Sequence, residues 1–237
     1  MQLLGIVVLG FIVWFGFQDR EAGRAVSAFD LHALVMVVVG SSSAVLLSSS
    51  GRNALRTLLA LKELVPGLRS FHLTTESMEK EREELCSLWK SGQRSAAVAL
   101  AEKSSFQSTK HTLDLLLQRA HETSSAKVFT ELRHDEISDW QPAISNWEML
   151  SKLGPAFGMV GTITGMIQLF KNMSSENLNI GAAMSLALLA TLYGVAFGAG
   201  IAGPIGHFWN GLLDERLGVL ERCEKSVNEL VTRGAGA

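Results

Sequence analysis

Leu153–Phe170 reads LGPAFGMVGTITGMIQLF, and Met184–Gly200 reads MSLALLATLYGVAFGAG. Neither stretch holds an Asp, Glu, Lys or Arg. As helices, both have the length and apolarity to live in a hydrocarbon core about 30 Å thick. In the first, Gly154, Gly158, Gly161 and Gly165 fall at i, i+4, i+7 and i+11. That spacing lays them along one stripe, where a missing Cβ lets another helix come close. Ala187, Gly194, Gly198 and Ala202 form a similar stripe in the second, with Thr191 lying on it. Two readings of the stripes stay open. One is packing between helices of a single bundle; the other is a slot for an additional helix, with Thr162 and Thr191 pointing into it. A membrane threonine otherwise returns its hydroxyl to its own i−4 carbonyl. Tyr193 is the only tyrosine and follows Thr191 by two residues; an interfacial or packing position is its plain reading.

Working outward, Leu3–Phe17 and Leu31–Leu47 are also apolar and free of charged residues, and the fourth apolar stretch extends over Ile180–Ile205. The 47 % apolar content of the 237 residues is therefore clustered. Leu3–Phe17 is short for a span unless Met1, Gln2 and Gln18 sit among headgroups, a mismatch of small cost. It has no basic leader and no small-x-small site before Gln18, so a retained helix is expected. The order predicts an all-α integral membrane protein with four transmembrane helices and a helical cytoplasmic domain inserted between helices 2 and 3. Its parts are residues 1–47, two helices with a short periplasmic link; 48–148, the cytoplasmic domain; 149–206, the second helix pair; and 207–237, a cytoplasmic tail. Orientation follows the basic residues: Arg52, Arg56, Lys62 and Arg69 crowd the exit of the second helix, and the tail carries Arg216, Arg222 and Lys225. Both termini and the insert are thus expected in the cytoplasm.

The insert reads as a small bundle of helices without strands. Met78, Leu85, Leu88 and Trp89 mark one apolar pattern, and Glu79–Glu84 reads as a solvated face. A second pattern runs from Thr112–Gln118 through Phe129 and Leu132 to Ile137 and Trp140, with Pro66 and Pro142 as punctuation and Gly92 as a break. Some of these helices are expected to continue the membrane helices beyond the bilayer. Cys86 and Cys223 have neither metal spacing nor a disulfide framework, and reduced thiols are expected. His32 and His207 flank membrane spans and suggest no metal site. Nothing in the chain has the order of a catalytic triad or a phosphate loop, so no enzyme, cofactor or catalytic residue is expected. A net charge of −2 gives no reason to expect nucleic acid. Pro155 and Pro204 lie near the cytoplasmic ends of the third and fourth spans, where each removes a helix hydrogen bond and offers a hinge coupling the membrane part to the insert.

LGPAFGMVGTITGMIQLFKNM, followed by IGAAMSLALLATLYG and GPIG, resembles the third and fourth membrane helices of the MotA/PomA flagellar stator subunits, part of the MotA–TolQ–ExbB group of ion-driven motors. FDLHALVMVVVGSSSAVLL is similar to that family's early helices. The resemblance covers nearly the whole chain and is specific from Leu153 to Pro204. It implies a homo-pentamer in the bacterial inner membrane around MotB-like single-span partners, each bringing a membrane Asp, with the insert pushing on a FliG-like rotor protein. It assigns Thr162 and Thr191 to the ion pathway and Pro155 and Pro204 to functional prolines. Gly158, Gly161, Gly165, Gly194, Gly198 and Tyr193 would pack on the partner helix. This agrees with the residue reading, because intramembrane carboxylates are the usual proton relays and these spans contain none. Sodium-type members read TTLYG where this chain has Ala190, and one oxygen fewer favours H+ over Na+. Arg94 and Glu102 have the separation of the family's rotor-facing pair, although the flanking Ala-Leu pattern aligns one residue earlier, on Gln93 and Ala101. The alternatives are a TolQ/ExbB-like subunit, which usually has one apolar helix before its cytoplasmic segment, and a motor subunit energising gliding or envelope transport. A passive scaffold would leave the threonines and glycine stripes unexplained.

Overall fold

The computed structural model describes residues 30–64, 70–119, 121–172 and 180–235, and every regular element among them is helical. In chain order these are α1 (Leu31–Ser48), α2 (Gly51–Leu59) with a 3₁₀ turn at Ala60–Leu64, α3 (Ser70–Lys90), α4 (Arg94–Lys103), α5 (Gln107–Leu117), α6 (Glu122–Asn172), α7 (Ile180–Val195), a π-helical segment at Ala196–Ala202, and α8 (Gly203–Ala235). Three helices among the described residues are long and apolar enough to cross a membrane. The first expected span, Leu3–Phe17, lies outside the described residues.

The chain divides into two compact units. One holds the described part of Met1–Val65 with Pro142–Trp209, and the other holds the described parts of Pro66–Gln141 and Asn210–Ala237. Gly51–Leu64 belongs with the apolar helices, because the Trp147 indole N–H donates to the Thr57 carbonyl at 3.2 Å and that of Trp209 to the Ala60 carbonyl at 3.1 Å. Pro142, read from sequence as punctuation, lies inside α6. Ala143, Ile144 and Trp147 immediately after it are all buried. Their packing holds the helix through a residue that lacks an N–H.

In the first unit α1 presents Ala33, Val37, Ser41 and Val45 as one buried stripe at four-residue spacing. Asp30 caps the helix, its carboxylate accepting from the backbone N–H of His32 at 2.8 Å and of Ala33 at 3.2 Å. Such a cap satisfies donors that the first helical turn leaves without partners.

The second unit closes on an apolar core to which all five of its helical segments contribute, among them Leu85, Ala97, Leu116, Phe129, Leu220 and Val227. Gly92 ends α3 at φ +79, and the Gln93 N–H reaches back to the Leu88 carbonyl at 3.0 Å. This left-handed cap is one that glycine supplies without a steric penalty. The acidic run Glu79–Glu84 departs from its expected role. Lys80, Glu83 and Glu84 are exposed, whereas Glu79, Glu81 and Arg82 are partly buried and bonded. Glu81 accepts from Ser104 at 2.5 Å and Thr109 at 3.1 Å, and Arg82 bonds both Glu79 and Ser226. Burial alone would raise the Glu79 carboxyl, but hydrogen bonds from Arg82 and Arg222 outweigh it and hold the group below its ordinary value. At Glu136 burial wins over the neighbouring Arg216 and pushes the carboxyl up. The two groups therefore act in opposite directions on stability. Glu79 stabilises the fold above the unfolded carboxyl range and loses that as pH falls, while Glu136 opposes it as pH rises.

Cys86 and Cys223 are free and buried. Burial pushes the Cys223 thiol up to about 12, so it stays protonated through the physiological range. Maleimide at neutral pH should leave both thiols of the folded chain unmodified for as long as it takes to label the denatured chain fully. Prompt labelling of folded Cys223, read by peptide mass, would contradict this packing.

Candidate functional site: a hydroxyl pair at a glycine crossing

The glycine stripes of α6 and α7 meet each other. A Cβ on Gly194 would lie 2.6 Å from the Gly154 carbonyl oxygen and 2.9 Å from the Gly158 Cα; one on Gly154 would lie 2.8 Å from the Gly194 oxygen and 2.8 Å from the Gly198 Cα. Real Cβ atoms do not sit this close to backbone, so the helices touch main chain to main chain. Gly161 takes the Ala190 methyl instead, with a Cβ there only 2.4 Å from Ala190 Cβ. Gly165 is buried as well. Of the six residues that the family resemblance assigns to a partner helix, Gly158, Gly161, Gly194 and Gly198 therefore use their bare faces within the chain. Tyr193 is partly buried beside Ala33, Leu189 and Ala190, and its hydroxyl accepts from the Asp30 N–H at 3.2 Å.

This close crossing brings the two threonines together. Thr162 Oγ1 and Thr191 Oγ1 are hydrogen-bonded to each other. Thr162 also lies 3.1 Å from the Gly158 carbonyl oxygen and 3.2 Å from that of Ala187, and Thr191 lies 3.4 Å from the same Ala187 oxygen. Each hydroxyl has one proton and two acceptor lone pairs. If Thr191 donates to Thr162, then Thr162 donates to a carbonyl and the Thr191 oxygen accepts nothing from within the pair. If Thr162 donates to Thr191, then Thr191 donates to Ala187, and the Thr162 oxygen is the one left to accept. In either arrangement both protons are committed and acceptor capacity remains. The pair can receive a protonated group or a cation; it has no proton to supply.

The two prolines differ in setting. Pro155 lies within continuous α6 and denies a donor to the carbonyl four residues back, that of Ser151. That oxygen faces Gly198, where a Cβ would come within 2.6 Å of it and 2.5 Å of Pro155 Cδ. Pro204 follows the π-helical segment Ala196–Ala202, whose end is marked by the Gly203 N–H donating to the Gly198 carbonyl five residues earlier. A widened turn there makes room for a ring that would crowd the preceding turn of an ordinary α-helix.

At the end of α1 a polar group lies in the first unit that the sequence reading did not single out. Ser49 Oγ is 2.6 Å from Asn146 Oδ1, and Asn146 Nδ2 donates to Thr57 Oγ1 at 2.8 Å. The tryptophans beside it were its available signal, since indoles that are apolar with one N–H are enriched at membrane interfaces. In the second unit, Arg94 and Glu102 are exposed on α4 whereas Ala101 is 2 % exposed and part of the core. Arg94 stacks on the Trp89 ring with its guanidinium carbon 4.6 Å from the centroid. Of the two alignments, only that on Arg94 and Glu102 puts both residues at the surface. Among the described residues no cluster of His, Cys, Asp or Glu is arranged to hold a metal ion.

The site is thus a main-chain crossing of two apolar helices that carries a pair of hydroxyls and no charged side chain. Residues 98–222 match the model of the MotA/TolQ/ExbB proton channel family, and the chain belongs to that family. It is 39 % identical over 64 residues to Motility protein A of Aquifex aeolicus, covering 27 % of this chain and 25 % of that protein. It is 29 % identical over 177 residues to Motility protein A of Borreliella burgdorferi, covering 70 % of this chain and 62 % of that one. The matched stretches thus span less than two thirds of these relatives' lengths. Its fold superimposes on a chain of the flagellar MotAB stator complex from Bacillus subtilis with a TM-score of 0.75 at 17 % identity, over 98 % of this chain and 89 % of the other.

The glycine crossing is open to test. A valine at Gly194 places carbon on the Gly154 carbonyl, and overpacking of this kind costs about 1–3 kcal/mol. Gly194→Val should lower the thermal midpoint of the detergent-solubilised chain, whereas Gly211→Ala, with nothing within 4 Å of the added methyl, should not. Equal midpoints for Gly194→Val and the parent chain would contradict the crossing.

Proposed function

We propose that this chain is the ring-forming stator subunit of a bacterial flagellar motor, coupling inward ion flow to torque on the rotor. One observation carries the reading: the Thr162–Thr191 pair holds acceptor lone pairs at the glycine crossing, in spans without an Asp, Glu, Lys or Arg. A path for protons needs a group that titrates. A MotB-like single-span subunit carrying a membrane Asp supplies it, and the pair meets that carboxyl in its protonated form. The chain crosses the inner membrane four times with both termini and the insert in the cytoplasm, a reading supported by Arg52, Arg56, Lys62, Arg216, Arg222 and Lys225 beside the spans. Copies of the chain, in a pentamer, surround the partner helices.

The ion is H+. Ala190, where sodium-type members carry a hydroxyl, is fully buried against Gly161, and its methyl side chain offers no oxygen to a cation. Pro155 and Pro204 form the hinge that transmits movement of the spans. Arg94 and Glu102, both exposed on α4, meet the FliG-like rotor protein. The relatives named Motility protein A favour this reading over a TolQ/ExbB-like subunit.

The test is Thr191→Val, which keeps the shape of the side chain and removes the hydroxyl. Interhelical hydrogen bonds in membranes are worth only about 0.6 kcal/mol on average and up to about 1.7, so the variant should insert normally. Proton flux through the complex with its partner, measured in sodium-free medium, should fall at least tenfold, and Thr191→Ser should retain it. Undiminished flux in Thr191→Val would remove the pair from the pathway, and flux that requires sodium would overturn the choice of ion.

A further inference from the structure

Gly51–Leu64 bares most of its leucines. Its inward side buries Thr57, Ala60, Glu63 and Leu64, while its outward side exposes Leu55, Leu58, Leu59 and Leu61 at 59 %, 63 %, 41 % and 41 %. Water is the wrong solvent for such a side, and four neighbouring exposed leucines form an interaction surface. The segment cannot roll to hide them. The indole bonds from Trp147 and Trp209 and the Asn146 bond to Thr57 hold the middle of its inward side, at Thr57 and Ala60.

Two features identify what covers the leucines. The segment starts only three residues after α1 ends at Ser48, across an extended break at Ser49 and Ser50, and it follows a helix whose own flank, including Leu46 at 60 % and Leu47 at 90 % exposure, is apolar and open. Between Gly51 and Lys62 there is no Asp or Glu, and Arg52 and Lys62 are exposed among the leucines. An apolar ridge carrying cations on long stems matches the boundary between acyl chains and anionic headgroups, where the stems lie along the hydrocarbon and the charges reach phosphate.

We propose that Gly51–Leu64 is an interfacial lipid-binding element. It lies in the headgroup layer at the end of α1 with its leucines in the acyl boundary, and it selects anionic phospholipid through Arg52 and Lys62. The proposal rests on the reading of α1 as a membrane span. It gives the chain a fixed depth marker at the place where the membrane helices hand over to the rest of the molecule.

The experiment uses the full-length chain in vesicles of phosphatidylcholine, alone or mixed with phosphatidylglycerol. A fluorophore is attached at Leu58→Cys, Cys86 and Cys223 being buried. Brominated lipid should quench the probe and aqueous iodide should not. Bromines on phosphatidylglycerol should quench in preference to those on phosphatidylcholine, and this preference should fall by about fivefold for each of Arg52→Gln and Lys62→Gln. Quenching by iodide without quenching by lipid would overturn the proposal. So would shielding from both quenchers together with energy transfer between labelled copies, which would seat another copy of the chain on the leucines. Equal quenching by the two lipids would overturn the anionic selectivity. A probe at Val39→Cys, within α1, separates the underlying reading: lipid quenching there with none at Leu58 sinks this proposal alone, and none at either removes the span as well.

Discussion

The main-chain contact between Gly154 and Gly158 on α6 and Gly194 and Gly198 on α7 and its π-helical extension is the constraint on which the membrane unit turns. Lipid tails are as apolar as leucine, so helices in a bilayer gain little from burying hydrocarbon against one another and depend on packing and polar contacts. Four glycines allow that packing at the shortest range a helix permits. The threonine bond exists only at that range. Separating the helices by the width of a methyl group would break Thr162 from Thr191 and return each hydroxyl to its own helix. The Pro155 ring and the Ser151 oxygen it leaves without a helical donor lie on the same contact, against Gly198. Packing, hydroxyl geometry and the proline are therefore parts of one arrangement.

Counting protons shows what the pair can do chemically. The pair donates internally and to carbonyls, leaving an oxygen that can only accept. A wall of this kind can hold a protonated carboxyl in register without competing for its proton. Outside the apolar helices the chain uses charge freely. Arg133 meets Glu224 at 2.7 Å, Arg216 meets Glu136 at 2.8 Å, and Arg82 and Arg222 share Glu79 within the second unit. These partly buried pairs hold helices distant in sequence in a common bundle.

Much of this was legible in the sequence because helical period is a strong signal. The spacing of Gly154, Gly158, Gly161 and Gly165 fixed a stripe, and Thr191 on the second stripe marked the hydroxyl site. The stripe's occupant was not legible, since a missing Cβ invites any helix, and here the chain's own neighbour fills it. The acidic run at Glu79–Glu84 looked solvated because the partners of Glu79 and Glu81, namely Arg222, Ser104 and Thr109, are far away in sequence. Pro142 read as a boundary because local propensity does not register the burial of Ile144 and Trp147 beyond it. Periodicity in the Ala-rich α4 did not separate Glu102 from Ala101, whereas burial does: Arg94 and Glu102 are exposed and Ala101 is in the core. The exposure of the leucines of Gly51–Leu64 was not legible, because its orientation depends on bonds from Trp147 and Trp209 elsewhere in the chain.

Under the proposed function this polypeptide forms the wall of a proton path and the titrating group comes from a MotB-like subunit. Proton uptake into sealed vesicles under an imposed potential, with this chain alone and then with the proposed MotB-like subunit, tests that claim most directly. The chain alone should match protein-free vesicles, and the complex should conduct only while the partner keeps its membrane carboxylate. Substantial uptake through the chain by itself would contradict the account at its root.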